Sequence, residues 1–144
     1  MTKSMHTTNC FNTFIRVAED CPAHTGEEPP LRAGKPTVAC LQYEMIAKAP
    51  YKHTSDDVIF ATSAPGRELD VKATKTEKRA AREAFFSRGQ ACMRASSLGK
   101  RFGWGVHADS KGRIAIYPIE SKRYQALARD PRLTQVRAMR SQRA

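Results

Sequence analysis

The sequence predicts a single α+β domain in which a small, mainly antiparallel sheet carries two or three helices packed on one face. Three observations lead to this fold class. The length of 144 residues fits one domain. Short β-branched and aromatic runs, including a hairpin, alternate with segments of helical periodicity that begin and end at capping residues. A hydrophobic content of 40% with 27% charged residues is ordinary for a globular protein and argues against disorder.

Three regions have the composition of strands. Residues 12–18 predict the first strand and residues 58–62 the second. Residues 104–108 and 113–117 predict a hairpin, because Gly112 can take the left-handed conformation that its four-residue turn requires. Alternation along the hairpin predicts that His107 lies on the face opposite the core. Arg113 and Tyr117 are its possible neighbours there. The predicted inward set is Trp104, Val106, Ala108, Ile114 and Ile116.

Three segments predict helices. Residues 37–48 form the first, whose predicted core face is Val38, Leu41, Met45 and Ile46. The second begins at a capping box of Thr74 and Glu77 and ends at Gly89. Its predicted apolar face is Ala80, Ala81, Ala84 and Phe85, and its basic face is Lys75, Lys78, Arg79 and Arg82. Ser121 caps a short third helix that ends before Pro131. Its predicted inward residues are Tyr124, Leu127 and Ala128.

The chain is predicted to divide into a domain over residues 1–131 and a basic C-terminal tail over residues 132–144. The tail contains four arginines: Arg132, Arg137, Arg140 and Arg143. Because arginines are not readily buried without partners, we expect the tail to be peripheral to the core.

The net charge of +11 is concentrated in two segments. Residues 72–101 hold nine Lys/Arg against two Asp/Glu, and residues 121–144 hold seven against one. Such asymmetry favours an anionic partner, although solvated helix faces also collect basic residues. The sequence therefore indicates a non-enzymatic binder of a polyanion such as nucleic acid, through these residues: Lys75, Lys78, Arg79, Arg82, Arg94, Lys100 and Arg101.

The glycine-rich run 99–105 is a second candidate anion site, because amides unobstructed by side chains can converge on a phosphate. It lacks the order of a nucleotide-binding P-loop. The structural alternative is that the glycines allow the loop to pack tightly.

The alternative function is a small-molecule site or enzyme with a pocket formed by Arg94, His107, Tyr51 and Asp57. His107 is the best-placed general acid or base, since imidazole titrates near neutrality, and Asp57 is a weaker catalytic candidate. Arg94 could instead form an internal ion pair with Asp56 or Asp57.

No metal or cofactor is expected. His6 with Cys10 and Cys21 with His24 could superficially supply four zinc ligands, but lone cysteines are more often small buried apolar residues. The sequence has no apolar run of about 18 residues and no signal-peptide core at its start. It therefore predicts a cytoplasmic protein with reduced cysteines, no membrane partner and an undetermined oligomeric state.

The chain also resembles the small proteins of domain of unknown function family 6157. The resemblance lies in the following segments: His6-Thr-Thr-Asn, Asn12-Thr-Phe-Ile, Tyr43-Glu-Met-Ile, residues 50–60, residues 86–96, Lys100-Arg-Phe-Gly-Trp-Gly-Val-His107 and residues 138–143. It implies a bacterial or fungal single-domain protein and supplies no activity or catalytic residue. The family pattern has Tyr-like residues at Cys10, which argues against a zinc site there.

Overall fold

A computed structural model describes residues 6–141 as an α+β domain built on a four-stranded mixed sheet. The strands are β1 (Thr13–Arg16), β2 (Trp104–Ala108), β3 (Ile114–Pro118) and β4 (Thr134–Arg137). Their order is β3-β2-β1-β4, with β1 antiparallel to β2, β2 antiparallel to β3, and β1 parallel to β4. The predicted α+β class, strand 12–18 and hairpin are confirmed, and Gly112 has a φ of 80°. The predicted placement of the helices on one face is wrong, because the buried side chains of β1 require cover on both faces.

The helices surround this sheet. They are α1 (Val38–Lys48), α2 (Ser55–Thr62), α3 (Ala64–Arg67), α4 (Lys75–Phe86), α5 (Ser97–Lys100) and α6 (Lys122–Ala128), with a 3-10 turn at Met93–Ala95. Ile46 of α1, Val58 of α2 and Leu98 of α5 pack against the sheet face that carries Ile15 and Val106. On the opposite face, Phe14 and Val17 pack against α6 through Tyr124 and Leu127.

The predicted strand at residues 58–62 is wrong, because these residues belong to α2. Thr54 and Asp57 form a capping box that begins this helix. The buried positions include Ser55, Val58 and Thr62, which recur at helical spacing. Two of these three are polar, so the buried stripe was not visible as a hydrophobic pattern, while the short apolar run Val-Ile-Phe resembled a strand.

Asp56, which is 8% exposed, ties the amino-terminal segment to α2. Its carboxylate accepts hydrogen bonds from the Thr7 hydroxyl at 2.7 Å, the Thr8 amide at 2.6 Å and the Thr8 hydroxyl at 2.7 Å. In return, the Asp56 amide donates to Asn9 Oδ1 at 2.8 Å. The expected alternative of an ion pair between Arg94 and Asp56 or Asp57 is wrong. Arg82 is the ion-pair partner of Asp57, and no salt bridge of Arg94 occurs within residues 6–141.

Two predicted helix faces are only partly correct. In α1, Ile46 is buried but Val38 is 46% exposed, and Gln42 is buried because it accepts a hydrogen bond from Ser96 at 2.6 Å. In α4, the capping box of Thr74 and Glu77 is confirmed, but Ala80 and Ala84 are exposed. The second half of α4 is anchored, through the aromatic contacts of Phe85 and Phe86 and the ion pair of Arg82 with Asp57.

The expectation that residues 132–144 are peripheral is wrong for the first half of this segment. Thr134–Arg137 forms β4, which pairs along the whole of β1, and Ala138 is 3% exposed. Arg137 is still solvent-accessible, because alternate residues of an edge strand can face water while the backbone is paired. Arg143 lies outside the described residues.

Two truncations should separate the strand from the end of the chain. Deleting residues 139–144 removes the Met139 amide bond to the Arg94 carbonyl and should cost about 1 kcal/mol. Deleting residues 134–144 also removes β4 and the buried Ala138, and should cost on the order of 4 kcal/mol or more. Urea unfolding followed by circular dichroism measures both. Equal losses would contradict a structural role for β4.

Candidate functional site

Tyr51 occupies an unusual backbone position beside the sheet. Its φ is 59°, in the left-handed region that non-glycine residues rarely adopt. The segment that follows runs along the outer edge of β3, where the Tyr51 amide donates to the Ile114 carbonyl and the Ile114 amide donates to the His53 carbonyl, both at 2.9 Å. These bonds hold the strained residue in place, as is common at functional sites.

The Tyr51 hydroxyl joins two side chains of the hairpin. It lies 2.7 Å from His107 Nδ1 and 2.8 Å from the Tyr117 hydroxyl. The Tyr51 and His107 rings meet edge to face with centroids 5.5 Å apart. The prediction that Tyr117 neighbours His107 is consistent with this cluster, whereas Arg113 is exposed at the start of β3.

Arg123 of α6 completes what we call the phenol–imidazole cluster: Tyr51, His107, Tyr117 and Arg123. Its guanidinium carbon lies 5.9 Å from the centroid of the Tyr117 ring, and the pKa of Arg123 is raised by its proximity to the Tyr117 and Tyr51 phenols. Burial and the hydrogen bond to Tyr117 raise the pKa of Tyr51 well above its ordinary value. Both effects outweigh the opposing charge of Arg123, so the Tyr51 phenol stays protonated at neutral pH.

The environment of His107 favours the neutral imidazole. Partial burial lowers its pKa, and the positive charge of Arg123 lowers it further, while Asp109 and Asp130 act in the opposite direction. The net effect is a pKa below the ordinary value of about 6.5. Since Tyr51 engages Nδ1, the other ring nitrogen, Nε2, remains for a ligand.

His107 and Arg123 both line an open cleft of about 580 Å³, here called the His107 cleft. Its other walls come from Asn12, just before β1, and from α6 and the turn after it: Ala126, Leu127, Asp130, Pro131, Arg132 and Leu133. Asp130 accepts two hydrogen bonds from the Arg132 side chain, at 3.0 and 3.1 Å, and one from the Arg132 amide at 2.9 Å. The charge of Arg132 is therefore matched locally, and Arg123 forms no salt bridge within residues 6–141.

The four residues predicted to share a pocket do not come together. Tyr51 and His107 are in contact, but Asp57 pairs with Arg82 at 2.8 Å, and Arg94 Nε donates to the Arg137 carbonyl at 2.7 Å. The pKa of Asp57 is lowered, because hydrogen bonds from Thr54 and Arg82 outweigh the effect of burial. Asp57 is thus a helix cap and an ion-pair partner.

Arg123 is the residue that sequence reasoning missed. It was counted only as part of the basic segment 121–144, because its relation to Tyr51 and His107 depends on α6 packing across the sheet. Strand alternation did provide a signal for Tyr117. No comparable signal connects residue 123 with residues 51 and 107.

The predicted basic residues lie on several elements. Lys75, Lys78 and Arg79 are exposed on α4, whereas Arg82 is engaged by Asp57 and also lies over the Phe86 ring. Arg94 belongs to the 3-10 turn. Lys100 and Arg101 occur at the end of α5, where Lys100 is half-buried and Arg101 is exposed.

The glycine-rich run serves tight packing. A Cβ added to Gly105 would lie 2.5 Å from the Phe14 ring and 2.6 Å from the Tyr124 ring. Gly103 has a φ of 82°, and a Cβ there would lie 2.4 Å from the Thr25 carbonyl oxygen. These contacts support the structural interpretation of the run over a phosphate-binding one.

Within residues 6–141, no group of three or more His, Cys, Asp or Glu is placed to hold a metal ion. Cys10, Cys21, Cys40 and Cys92 are all half-buried free thiols. In the same part of the chain, no helix has both the length and the apolar composition to cross a membrane.

Comparison with known proteins identifies the family but no activity. Residues 5–144 match the model of a family described as a family of unknown function (DUF6157). The chain belongs to this family. The match includes every residue that lines the His107 cleft, and the phenol–imidazole cluster lies wholly within the matched residues. No curated protein and no solved structure matches the chain.

The depressed pKa of His107 predicts a pH dependence of stability. The unfolded state binds more protons than the folded state between the folded pKa and about 6.5. The free energy of unfolding should therefore fall as the pH drops below about 6.5, and the loss should be complete below the folded pKa. Urea titrations of wild type and His107→Gln across this range should show that the variant lacks this contribution.

His24→Gln, at an exposed position, is the control and should retain the wild-type slope. NMR titration of the His107 ring gives a direct check. A His107 midpoint at or above about 6.5 would contradict this electrostatic account.

Proposed function

We propose that this protein binds a small anionic molecule in the His107 cleft. The observation that carries the proposal is the Tyr51 hydroxyl, which lies within hydrogen-bond distance of both His107 Nδ1 and the Tyr117 hydroxyl. A partly buried chain of titratable side chains at the wall of a cleft is typical of binding and catalytic sites. The guanidinium of Arg123, which forms no salt bridge within residues 6–141, supplies the attraction for a carboxylate or phosphate.

We further propose a direction for the hydrogen bonds in this cluster. The nearby charge of Arg123, a group that can only donate, favours presentation of the phenol oxygen of Tyr117 towards it. The chain therefore runs from the Tyr117 hydroxyl to the Tyr51 hydroxyl and from there to His107 Nδ1. The neutral His107 ring then carries its hydrogen on Nε2 and presents a donor to the ligand. Such a group can bind a carbonyl or anionic oxygen and can act as a general acid if a reaction occurs there.

Ligand titrations followed by the His107 ring resonances test this proposal. With malonate or inorganic phosphate as probe, we expect saturable changes in chemical shift. The dissociation constant should be about 1 mM, which corresponds to a binding free energy of about −4 kcal/mol. Arg123→Gln should weaken binding about tenfold, or ~1.4 kcal/mol, because it removes the charge. Tyr51→Phe should change the nitrogen shifts of the ring, since Nδ1 loses its partner.

Arg129→Gln is the matched control, because Arg129 is exposed just after α6 and does not line the cleft. It should bind the probes like wild type. The absence of saturable shifts at about 20 mM probe, or an equal loss in Arg129→Gln, would contradict a specific site.

A second candidate function is charge-driven binding of nucleic acid by α4. The observation that favours it is that Lys75, Lys78 and Arg79 are exposed on one helix and form no salt bridge within residues 6–141. The aromatic contacts of that helix are made by Phe85 and Phe86 in its last turn, away from these three cations. Arg82 is not part of this surface, because Asp57 engages it. A surface of this kind binds phosphates without reading sequence.

The triple variant Lys75→Glu/Lys78→Glu/Arg79→Glu should lose oligonucleotide binding while remaining folded. Fluorescence anisotropy at about 50 mM salt measures this, and three phosphate contacts on duplex DNA give a salt slope of about −3. Reversal of three exposed cations elsewhere, Lys35, Lys111 and Arg129, is the control with the same change in net charge. Equal losses in both variants would indicate that only net charge matters.

We propose a cytoplasmic location for the protein. The support is chemical: four half-buried cysteines occur as free thiols, and a reducing compartment maintains this state.

A further inference from the structure

A second cleft lies on the other face of the sheet, between the amino-terminal segment, the 3-10 turn, and strands β1 and β4. Its volume is about 300 Å³. We call it the Cys10 cleft, and its apolar walls include Ile15, Val136 and Met93, with the thiols of Cys10 and Cys92. Burial raises the pKa of the Cys10 thiol, and proximity to Cys92 raises it further. Cys10 is therefore a neutral, weakly polar part of the wall at pH 7.

Most polar groups at the rim of this cleft are already engaged within the protein. The hydroxyls of Thr7 and Thr8 donate to Asp56, and Asn9 Oδ1 accepts from the Asp56 amide. The Thr13 hydroxyl donates to the Phe11 carbonyl at 2.8 Å. Because these groups have their partners, they offer little to a polar ligand, and the cleft favours an apolar body.

Arg94 is the charged residue on this rim. Its Nε donates to the Arg137 carbonyl at 2.7 Å, which fixes the guanidinium beside β4. Its two terminal nitrogens have no hydrogen-bond or ion-pair partner within residues 6–141. The described residues that line the cleft include no Asp or Glu, so the cationic charge is not neutralised locally. A planar guanidinium held in this way matches a carboxylate.

We propose that the Cys10 cleft binds a small monocarboxylate with an apolar body, whose hydrocarbon part occupies the cleft and whose carboxylate pairs with Arg94. The volume is at the lower end of the range for ligand pockets, which suits a molecule with about ten heavy atoms. Few polar groups around a mostly apolar wall are typical of such pockets. This site shares no lining residue with the His107 cleft, so the inference is independent of the proposed function.

Calorimetric titration of the full chain with octanoate tests this site. We expect saturable binding by wild type, and binding of 1-octanol at least about tenfold weaker because it lacks the charge that Arg94 recognises. Octanoate should also slow alkylation of Cys10 and Cys92 by N-ethylmaleimide, measured by peptide mass spectrometry, and leave Cys40 unaffected. Cys40 lies on α1, outside this cleft.

Arg94→Gln should weaken octanoate binding about tenfold while retaining an amide donor for the Arg137 carbonyl. Arg88→Gln, at an exposed position outside the cleft, should bind like wild type. No octanoate binding at about 10 mM, equal affinity for octanoate and octanol, or unchanged alkylation of Cys10 and Cys92 would overturn the proposal. The comparison of octanoate with octanol uses wild type, so it remains decisive if Arg94→Gln does not fold.

Discussion

The burial of β1 on both faces is the constraint on which the rest of this structure depends. Phe14 is fully buried on one face and Ile15 is 3% exposed on the other, so β1 requires cover on both sides and a strand along each edge. β2 and β4 supply the edges, and α6 covers the Phe14 face, where the Tyr124 hydroxyl accepts from the Val17 amide at 3.0 Å. α1, α2 and α5 cover the Ile15 face.

This arrangement explains why the two clefts lie on opposite faces. His107 is paired with Phe14 across β1 and β2, and shares its face, so its side chain meets α6 and Arg123. Thr13 and Ile15 alternate with Phe14 and line the Cys10 cleft. Among the described residues, each cleft has one arginine that forms no salt bridge, and each of these arginines comes from an element outside the central strand. The sheet separates the two sites, so their occupancy can be tested separately.

The charge of +11 overstates the cationic surface that is free for a partner. Arg82 pairs with Asp57, Arg132 pairs with Asp130, and Arg16 donates to Gln135 and to the Ala128 carbonyl. Arg82 and Arg16 join separate segments of the fold through the several donors of the guanidinium, whereas Arg132 pairs within its own turn. Most other arginines within residues 6–141 form no salt bridge, and Arg94 and Arg123 differ from those on the open surface because each lines one of the two clefts.

Local signals in the sequence determined the hairpin around Gly112, the capping box at Thr74 and the cap at Ser121, because each depends on residues within a few positions of one another. Strand alternation likewise placed His107 on the face opposite the inward-facing residues of the hairpin. The sequence misassigned α2, because polar Ser55 and Thr62 complete its buried stripe. Tertiary structure alone decided the parallel pairing of β4 with a strand some 120 residues earlier, the approach of Arg123 to Tyr51, and the position of Arg94 above the Cys10 cleft. Those contacts join residues that are far apart in the chain. The burial of a whole sheet face determines which of their side chains meet, and local sequence preferences do not.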